Sequence, residues 1–291
     1  MQILNAMPKY NLFGLESQDY ESARIVVLPI PYEATLSYKS GAKDGPHAII
    51  EASRNIELYN EELGKDVSRM GIYTLDELAP DYSSPENMVK RIEREVSLIL
   101  EDKKLPFLIG GEHTVSVGAI NAIGKKEKDF SVLHFDAHSD SRDEFMGTKY
   151  SHACIMARAR EITKSCYSIG VRSVDEDSAK RYGKEILYMK DMRGMSNVEI
   201  ARKAIEMTKK KVYITLDLDA LDPSEMPSVG TPEPDGMRFS QLSDILKLVI
   251  KEKDILGIDM TELSPLPSLS YPNYTAAKLA YLIIGYTMKG A

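Results

Sequence analysis

The sequence predicts an α/β fold in which a parallel β-sheet is covered by helices. Short β-branched or aliphatic runs alternate along the chain with longer segments whose apolar residues recur at spacings of three and four, the pattern of βαβ units. Most of the short runs are apolar throughout instead of alternating, as expected of strands buried on both faces. In chain order, the first strand is RIVVL at 24–28, followed by a helix at 46–53 that opens on Pro46. A long helix at 85–101 comes next, with Ser84 placed to cap it and Pro85 at a first position that needs no amide donor. LPFLI at 105–109 is a strand and leads through Gly110 and Gly111 into a helix at 114–124. Strands at 131–135 and 165–169 flank a helix at 152–160, and a helix at 197–209 precedes the strand VYITL at 212–216. Ser240 caps a periodic helix at 240–251, a strand follows at 255–260, and a last helix runs over 275–288. The Pro-rich stretches 223–234 and 265–272 are short and read as ordered loops at strand ends, so the 291 residues form one domain, 1–291.

Composition narrows the function. With 43% hydrophobic and 28% charged residues the chain is a compact globular protein, neither disordered, collagen-like nor a simple coiled coil. The balance of 37 basic against 44 acidic residues, a formal charge of −7, argues against a nucleic-acid partner. Cys154 and Cys166 cannot frame a chain of this length and lack zinc spacing, which fits a reducing compartment. The amino terminus lacks the basic and apolar regions of a signal peptide, and the longest apolar stretch, 279–288, falls short of the ~20 residues a membrane helix needs. A cytoplasmic protein without a membrane anchor is expected.

Three strand ends carry candidate chemistry. In HFDAHSD, Asp136, His138 and Asp140 recur at every second residue as a strand runs out, which puts their side chains on one side if the period persists. Two carboxylates with an imidazole between them are a metal-ligand set, although a capped turn with hydrated Asp residues has the same pattern. In TLDLDALDP, Asp217 and Asp219 follow a strand at the same spacing, and a cation between them relieves their repulsion. Asp222, beside Pro223, reads as a turn former. In LPFLIGGEHT the two glycines allow a tight turn that can aim His113 over the sheet edge. The two imidazoles and four carboxylates suffice for two metals, and this oxygen-rich set suits Mn²⁺ better than the thiolate sets of structural zinc.

GGEHT at 110–114, DAHSD at 136–140, TLDLDALDP at 215–223 and DMTELSP at 259–265, in that order, resemble the ureohydrolase family of arginases and agmatinases. The resemblance implies a three-layer αβα fold with a mostly parallel sheet of about eight strands, shared with the deacetylases. It also implies two Mn²⁺ per chain held by His113, Asp136, His138, Asp140, Asp217 and Asp219, with a bridging hydroxide that attacks the guanidinium carbon. By motif position His152 becomes the proton shuttle and Glu262 the carboxylate that grips the substrate guanidinium. Read without the resemblance, His152 is a helix-start residue and Glu262 a solvated loop charge. His134 shares the strand parity of Asp136 but has no ligand role in the family; it reads as core or as a support for a ligand. A trimer or hexamer is the family expectation.

The far end of the substrate separates family members. The run SVGTPEPDGM departs from the family's glycine-rich loop but keeps Thr231, a substrate-side residue by position. The Asn-containing loop by which arginases recognise the α-carboxylate is absent; SRDEFMGTKY stands there, with Asp143 and Glu144 able to accept an ammonium or simply solvated. Arg142 facing inward makes arginine or a guanidino acid credible. The reading is a small cationic guanidino substrate, agmatine cleaved to urea and putrescine, with aminopropylagmatine, guanidinobutyrate and arginine as competitors. A single-zinc deacetylase-like amidohydrolase and a non-catalytic binding member are the alternatives of other classes; the intact ligand set argues against both.

Overall fold

The computed structural model describes residues 9–287. Position 288, the expected end of the last helix, lies outside the described residues, as do residues 1–8 of the amino terminus. Eight parallel strands form the central sheet: β1 (Ile25–Ile30), β2 (Ile72–Thr74), β3 (Leu105–Gly110), β4 (Ser131–Phe135), β5 (Cys166–Val171), β6 (Ile186–Tyr188), β7 (Lys211–Asp217) and β8 (Asp254–Thr261). Their spatial order is β2-β1-β3-β8-β7-β4-β5-β6. All six expected strands are present. The two that the sequence does not reveal, β2 and β6, are three-residue edge strands, too short to show a period.

Helices α1 (Gly45–Ser53), α2 (Pro85–Glu101), α3 (Val115–Lys126), α4 (Ile155–Ile162), α5 (Glu176–Tyr182), α6 (Met189–Met192), α7 (Asn197–Met207), α8 (Phe239–Glu252) and α9 (Tyr271–Tyr286) surround the sheet. Successive strand residues feed opposite layers. Val27, Ile109, Leu133 and Ile214 pack with Ile49 of α1, Ile200 of α7, Leu246 of α8 and Ile283 of α9. Val26, Leu108, Val132 and Tyr213 pack with Ile92 of α2, Ile120 of α3 and Ile155 of α4. The result is the expected three-layer αβα fold. Among the described residues no helix is long and apolar enough to cross a membrane.

Local signals set several helix starts. Ser84 accepts from the Asn87 amide, and Ser196 with Glu199 forms a capping box at α7. Ser240 does not cap α8, which begins at Phe239 with Arg238 in the capping position. His152 sits in a 3₁₀ turn (His152–Cys154) that precedes α4 instead of inside it.

The topology places the chemistry. After β3 the chain skips two sheet positions to β4, and those positions are later filled by β7 and β8. The carboxyl ends of four adjacent strands, β3, β8, β7 and β4, therefore gather segments more than a hundred residues apart in sequence, at the kind of crevice where open α/β sheets bind ligands.

Candidate active site

His113 is positioned by a close approach of two strand ends. The Gly111 amide donates to the Ile30 carbonyl at 2.8 Å, and a Cβ on Gly111 would stand 2.1 Å from the Tyr32 carbonyl oxygen, so only glycine fits. The His113 ring, turned inward beyond this turn, is fully buried. Its Nε2 lies 2.8 Å from Thr215 Oγ1, and Thr215 donates its own proton to Asp259 Oδ1 at 2.8 Å. Thr215 must therefore accept from His113, which puts the imidazole proton on Nε2 and leaves Nδ1 bare. Nδ1 has no hydrogen-bond partner, yet three carboxylate oxygens face it: Asp136 Oδ2 at 3.2 Å, Asp140 Oδ2 at 3.3 Å and Asp217 Oδ2 at 3.3 Å. A bare, buried imidazole nitrogen ringed by carboxylates is the donor set of a hard or borderline cation.

A second group shares Asp136. His138 Nδ1 lies 2.9 Å from Asp219 Oδ2 and 3.4 Å from Asp136 Oδ1, and the ligand atoms of these three residues lie within 4.8 Å of one another. Backbone amides hold the carboxylates: Ala137 donates to Asp219 Oδ1 at 3.0 Å and Asp219 to Asp217 Oδ1 at 2.7 Å. His134 is also close to the first group, but both its nitrogens are engaged, Nε2 with Asp136 Oδ2 at 2.7 Å and Nδ1 with Ser168 Oγ at 2.9 Å. It holds Asp136 in place instead of facing the space between the carboxylates.

Without a cation the cluster is electrostatically strained. Burial, then Asp219 and Asp136, push Asp217 well above the usual carboxylate range, and burial with Asp136 raises Asp219. Burial opposes ionisation of Asp136 too, but His134, His113 and His138 hold it well below that range. The His138 imidazole is driven far up by Asp219 and Asp136 although burial works the other way. A cation among the carboxylates would supply the positive charge they lack and leave His113 Nδ1 free to ligate.

The cluster floors a cavity of about 320 Å³ to which His138, Asp140 and Asp217 contribute. Glu262 forms one wall; its Oε1 accepts from the His113 amide at 2.6 Å, and its own amide donates to the Gly111 carbonyl at 2.8 Å. Burial, and then the charge of Glu112, raise its carboxyl to about 8. Thr231 and Gly230 also line the cavity, and His152 lines it with Nε2 2.6 Å from Ser37 Oγ and its ring edge-on to Phe145.

The six expected ligand residues, His152, Glu262 and Thr231 are thus gathered in one place. Asp143 and Glu144 are not: neither lines this cavity. Asp143 turns back to ion-pair with Arg158 of α4, whose side chain is almost fully buried and fixes that orientation. Both acids border a neighbouring cavity of about 300 Å³ together with Asp175, Asp177 and Arg181. The residues of that segment that do face the site are Arg142 and Phe145, with Arg142 Nε 4.0 Å from Asp175 Oδ2. Sequence reasoning also missed Thr35, Ser37, Glu112, Arg172 and Asp175. Glu112, beside His113 in GGEHT, was the one with a visible signal.

The sequence profile of the arginase family matches residues 23–286. The N(1)-aminopropylagmatine ureohydrolases of Thermus thermophilus and Synechocystis sp. are 38% and 35% identical to this chain, covering 94% and 96% of it and 94% of each relative. The structure of the agmatine ureohydrolase of Thermoplasma volcanium superposes with a TM-score of 0.87 at 30% identity, over 98% of this chain and 95% of the other.

Proposed function

The chain belongs to the arginase family, and from that premise we propose that it is a binuclear manganese ureohydrolase that removes urea from the guanidino end of a linear aminoalkylguanidine. The observation that carries this reading is the bare His113 Nδ1, buried among three carboxylates at the floor of a cavity walled by Glu262. His113, Asp136, His138, Asp140, Asp217 and Asp219 hold the two metals, and the oxygen-rich set favours Mn²⁺. When bound, the metals supply a water acidified enough to act as a nucleophile near neutral pH.

The chain's own residues do the rest. Glu262, anchored by the His113 amide, pairs with the planar guanidinium and holds its carbon over the cavity floor. A carboxyl raised by burial ionises readily once a permanent cation lies against it. His152 stands on the cavity wall and passes a proton to the departing amine.

For the distal end, the reading moves from agmatine toward N(1)-aminopropylagmatine. Relatives that carry that activity name support it, and so does the neighbouring cavity, which shares Asp175 and Arg142 with the first and adds Glu144 and Asp177 for a further ammonium, while Asp143 is held by Arg158. A second reading, a guanidino acid, is favoured by Arg142 at the cavity wall. Urea release from aminopropylagmatine, agmatine, guanidinobutyrate and arginine decides among them. We expect aminopropylagmatine first and either amine at least roughly tenfold above arginine in kcat/KM, about 1.4 kcal/mol of differential transition-state binding. Agmatine ahead of its longer analogue reverses the order of the amines, and guanidinobutyrate or arginine in first place puts Arg142 in command of the distal end. No urea from any of them, or full activity with one zinc per chain, overturns the proposal.

A further inference from the structure

We propose that Glu112 and Thr35 are positioning residues that lock His152 in one tautomer, its proton on Nδ1 and its Nε2 lone pair turned to the cavity. The inference rests on the reading of His152 as the group that hands a proton to the leaving amine, and it adds how the chain makes one ring nitrogen the working one.

The geometry runs across three loops. Glu112 is almost fully buried behind β3, with Oε2 accepting from the Ala34 amide at 2.7 Å and the Thr35 amide at 2.6 Å. Its other oxygen, Oε1, takes the Thr35 hydroxyl at 3.0 Å. Thr35 Oγ1 already accepts from the His152 backbone amide at 3.2 Å and has His152 Nδ1 at 3.0 Å. A hydroxyl has one proton and two lone pairs. With the proton given to Glu112 and one lone pair taken by the His152 amide, the remaining lone pair meets Nδ1, which therefore carries the ring proton; the Ser151 hydroxyl, 3.4 Å from the same nitrogen, can accept from it too. Ser37 fits from the other side: its hydroxyl lies 2.6 Å from Nε2, and with the ring proton on Nδ1 it can only donate to that nitrogen.

The consequence is functional. An imidazole free to adopt either tautomer exposes a proton or a lone pair to the cavity at random, and only one serves as acceptor for the proton to be delivered. With Nδ1–H held by Thr35, Nε2 alone takes up a proton from solvent and alone releases it to the amine nitrogen as the carbon–nitrogen bond breaks. The Thr35 and Glu112 contacts turn on a single hydroxyl, so removing that hydroxyl isolates the effect.

The test uses the metal-loaded protein with Thr35→Val and Thr35→Ser, each alone and with His152→Phe. Thr35→Val keeps the shape of the side chain. It should bind metal as the wild type does and keep KM within about twofold while kcat falls roughly 10- to 100-fold, less than the loss from removing the shuttle itself. Thr35→Ser should recover most of the rate. In the His152→Phe background Thr35→Val should cost nothing further, because its effect passes through the imidazole. An equal loss of rate in both backgrounds shows a merely structural hydroxyl and overturns the proposal. A second measurement does not depend on turnover: long-range ¹H–¹⁵N spectra of the five ¹⁵N-labelled histidines, with His152→Phe supplying the assignment. Nδ1–H is expected in the wild type and a mixed or reversed tautomer in Thr35→Val. Nε2–H in the wild type, or no change on losing the hydroxyl, overturns the proposal even if the protein releases urea. If no guanidino compound yields urea, the functional reading fails and the spectra still decide this one.

Discussion

Replacing Arg172 with Met should loosen the metal centre from behind. Arg172 follows β5, and its guanidinium donates to the Asp219 carbonyl at 2.7 Å, the Glu233 carbonyl at 2.9 Å and the Pro234 carbonyl at 3.0 Å, with longer contacts to Gly170 and Leu221. It ties the loop that presents Asp219 to the loop that closes over it. Methionine keeps most of the length and none of the donors. Three short bonds from a charged donor, taken at the low end of about 1.5 kcal/mol each, come to about 4–5 kcal/mol. The side chain is only half-buried, so water reaches the released carbonyls and returns roughly half, leaving a loss of about 2–3 kcal/mol. Asp219 would also be less well oriented, and metal affinity should fall roughly tenfold, the lower end for lost support of a ligand. Denaturant unfolding of the metal-free protein and Mn²⁺ titration measure the two effects. A change below about 0.5 kcal/mol with unaltered metal binding would show that the clamp is decorative and refute the reasoning.

Other substitutions separate roles within the site. Asp219→Ala should abolish binding of at least one metal together with activity, because it removes the partner of His138 as well as a ligand; retained metal content would refute its assignment. His152→Phe should keep both metals and slow turnover by roughly 10²- to 10⁴-fold, and loss of metal in that variant would move His152 into the ligand set. Asp222 accepts from the amides of Ser224 and Gly236 and from the Ser224 hydroxyl, which together hold its carboxyl at about 2 although burial raises it. A depressed value means the stabilisation is complete above the unfolded value of about 4 and is lost as pH falls through about 2. Asp222→Asn should therefore be destabilised by about 1 kcal/mol at pH 7, with the difference from wild type closing between pH 4 and 2; a pH-independent gap would contradict this.

The legible parts of the site are those that lie at a strand end or within a few residues of one. Asp136, His138 and Asp140 follow β4, Asp217 ends β7 and Asp219 lies in the 3₁₀ turn (Leu218–Ala220) after it, and the structure brings all of them to one floor although the strand period itself stops. The reading of Asp143 and Glu144 rests on proximity to that motif, but by then the chain has left the strand and no period constrains it. Arg158 in α4, at a separation of 15 residues, decides where Asp143 points. The same limit hid Thr35 and Ser37, which lie in an irregular loop after β1, more than a hundred residues from the imidazole they hold. Edge strands β2 and β6 escaped for a different reason: three residues give less than two full periods.

Backbone conformation at two site residues follows from the same need to aim side chains after regular structure ends. Asp140 has φ of 45° and Glu262 has φ of 69°, left-handed values that non-glycine residues seldom adopt. Aspartate tolerates that region, but for glutamate it costs of order 1 kcal/mol or more. A glycine at 262 would relax the backbone and leave the cavity without the carboxylate that faces it. The strain is held by bonds on either side of the turn: the Glu262 amide to the Gly111 carbonyl at 2.8 Å, and the Glu262 carboxylate to the His113 amide at 2.6 Å. Both partners belong to the turn after β3, the one where only glycine fits at 111. The glycine approach, the buried imidazole and the strained glutamate thus form one local arrangement, in which each makes the next possible. Its cost is consistent with a site built to hold a cationic group between the Glu262 carboxylate and the His/Asp floor.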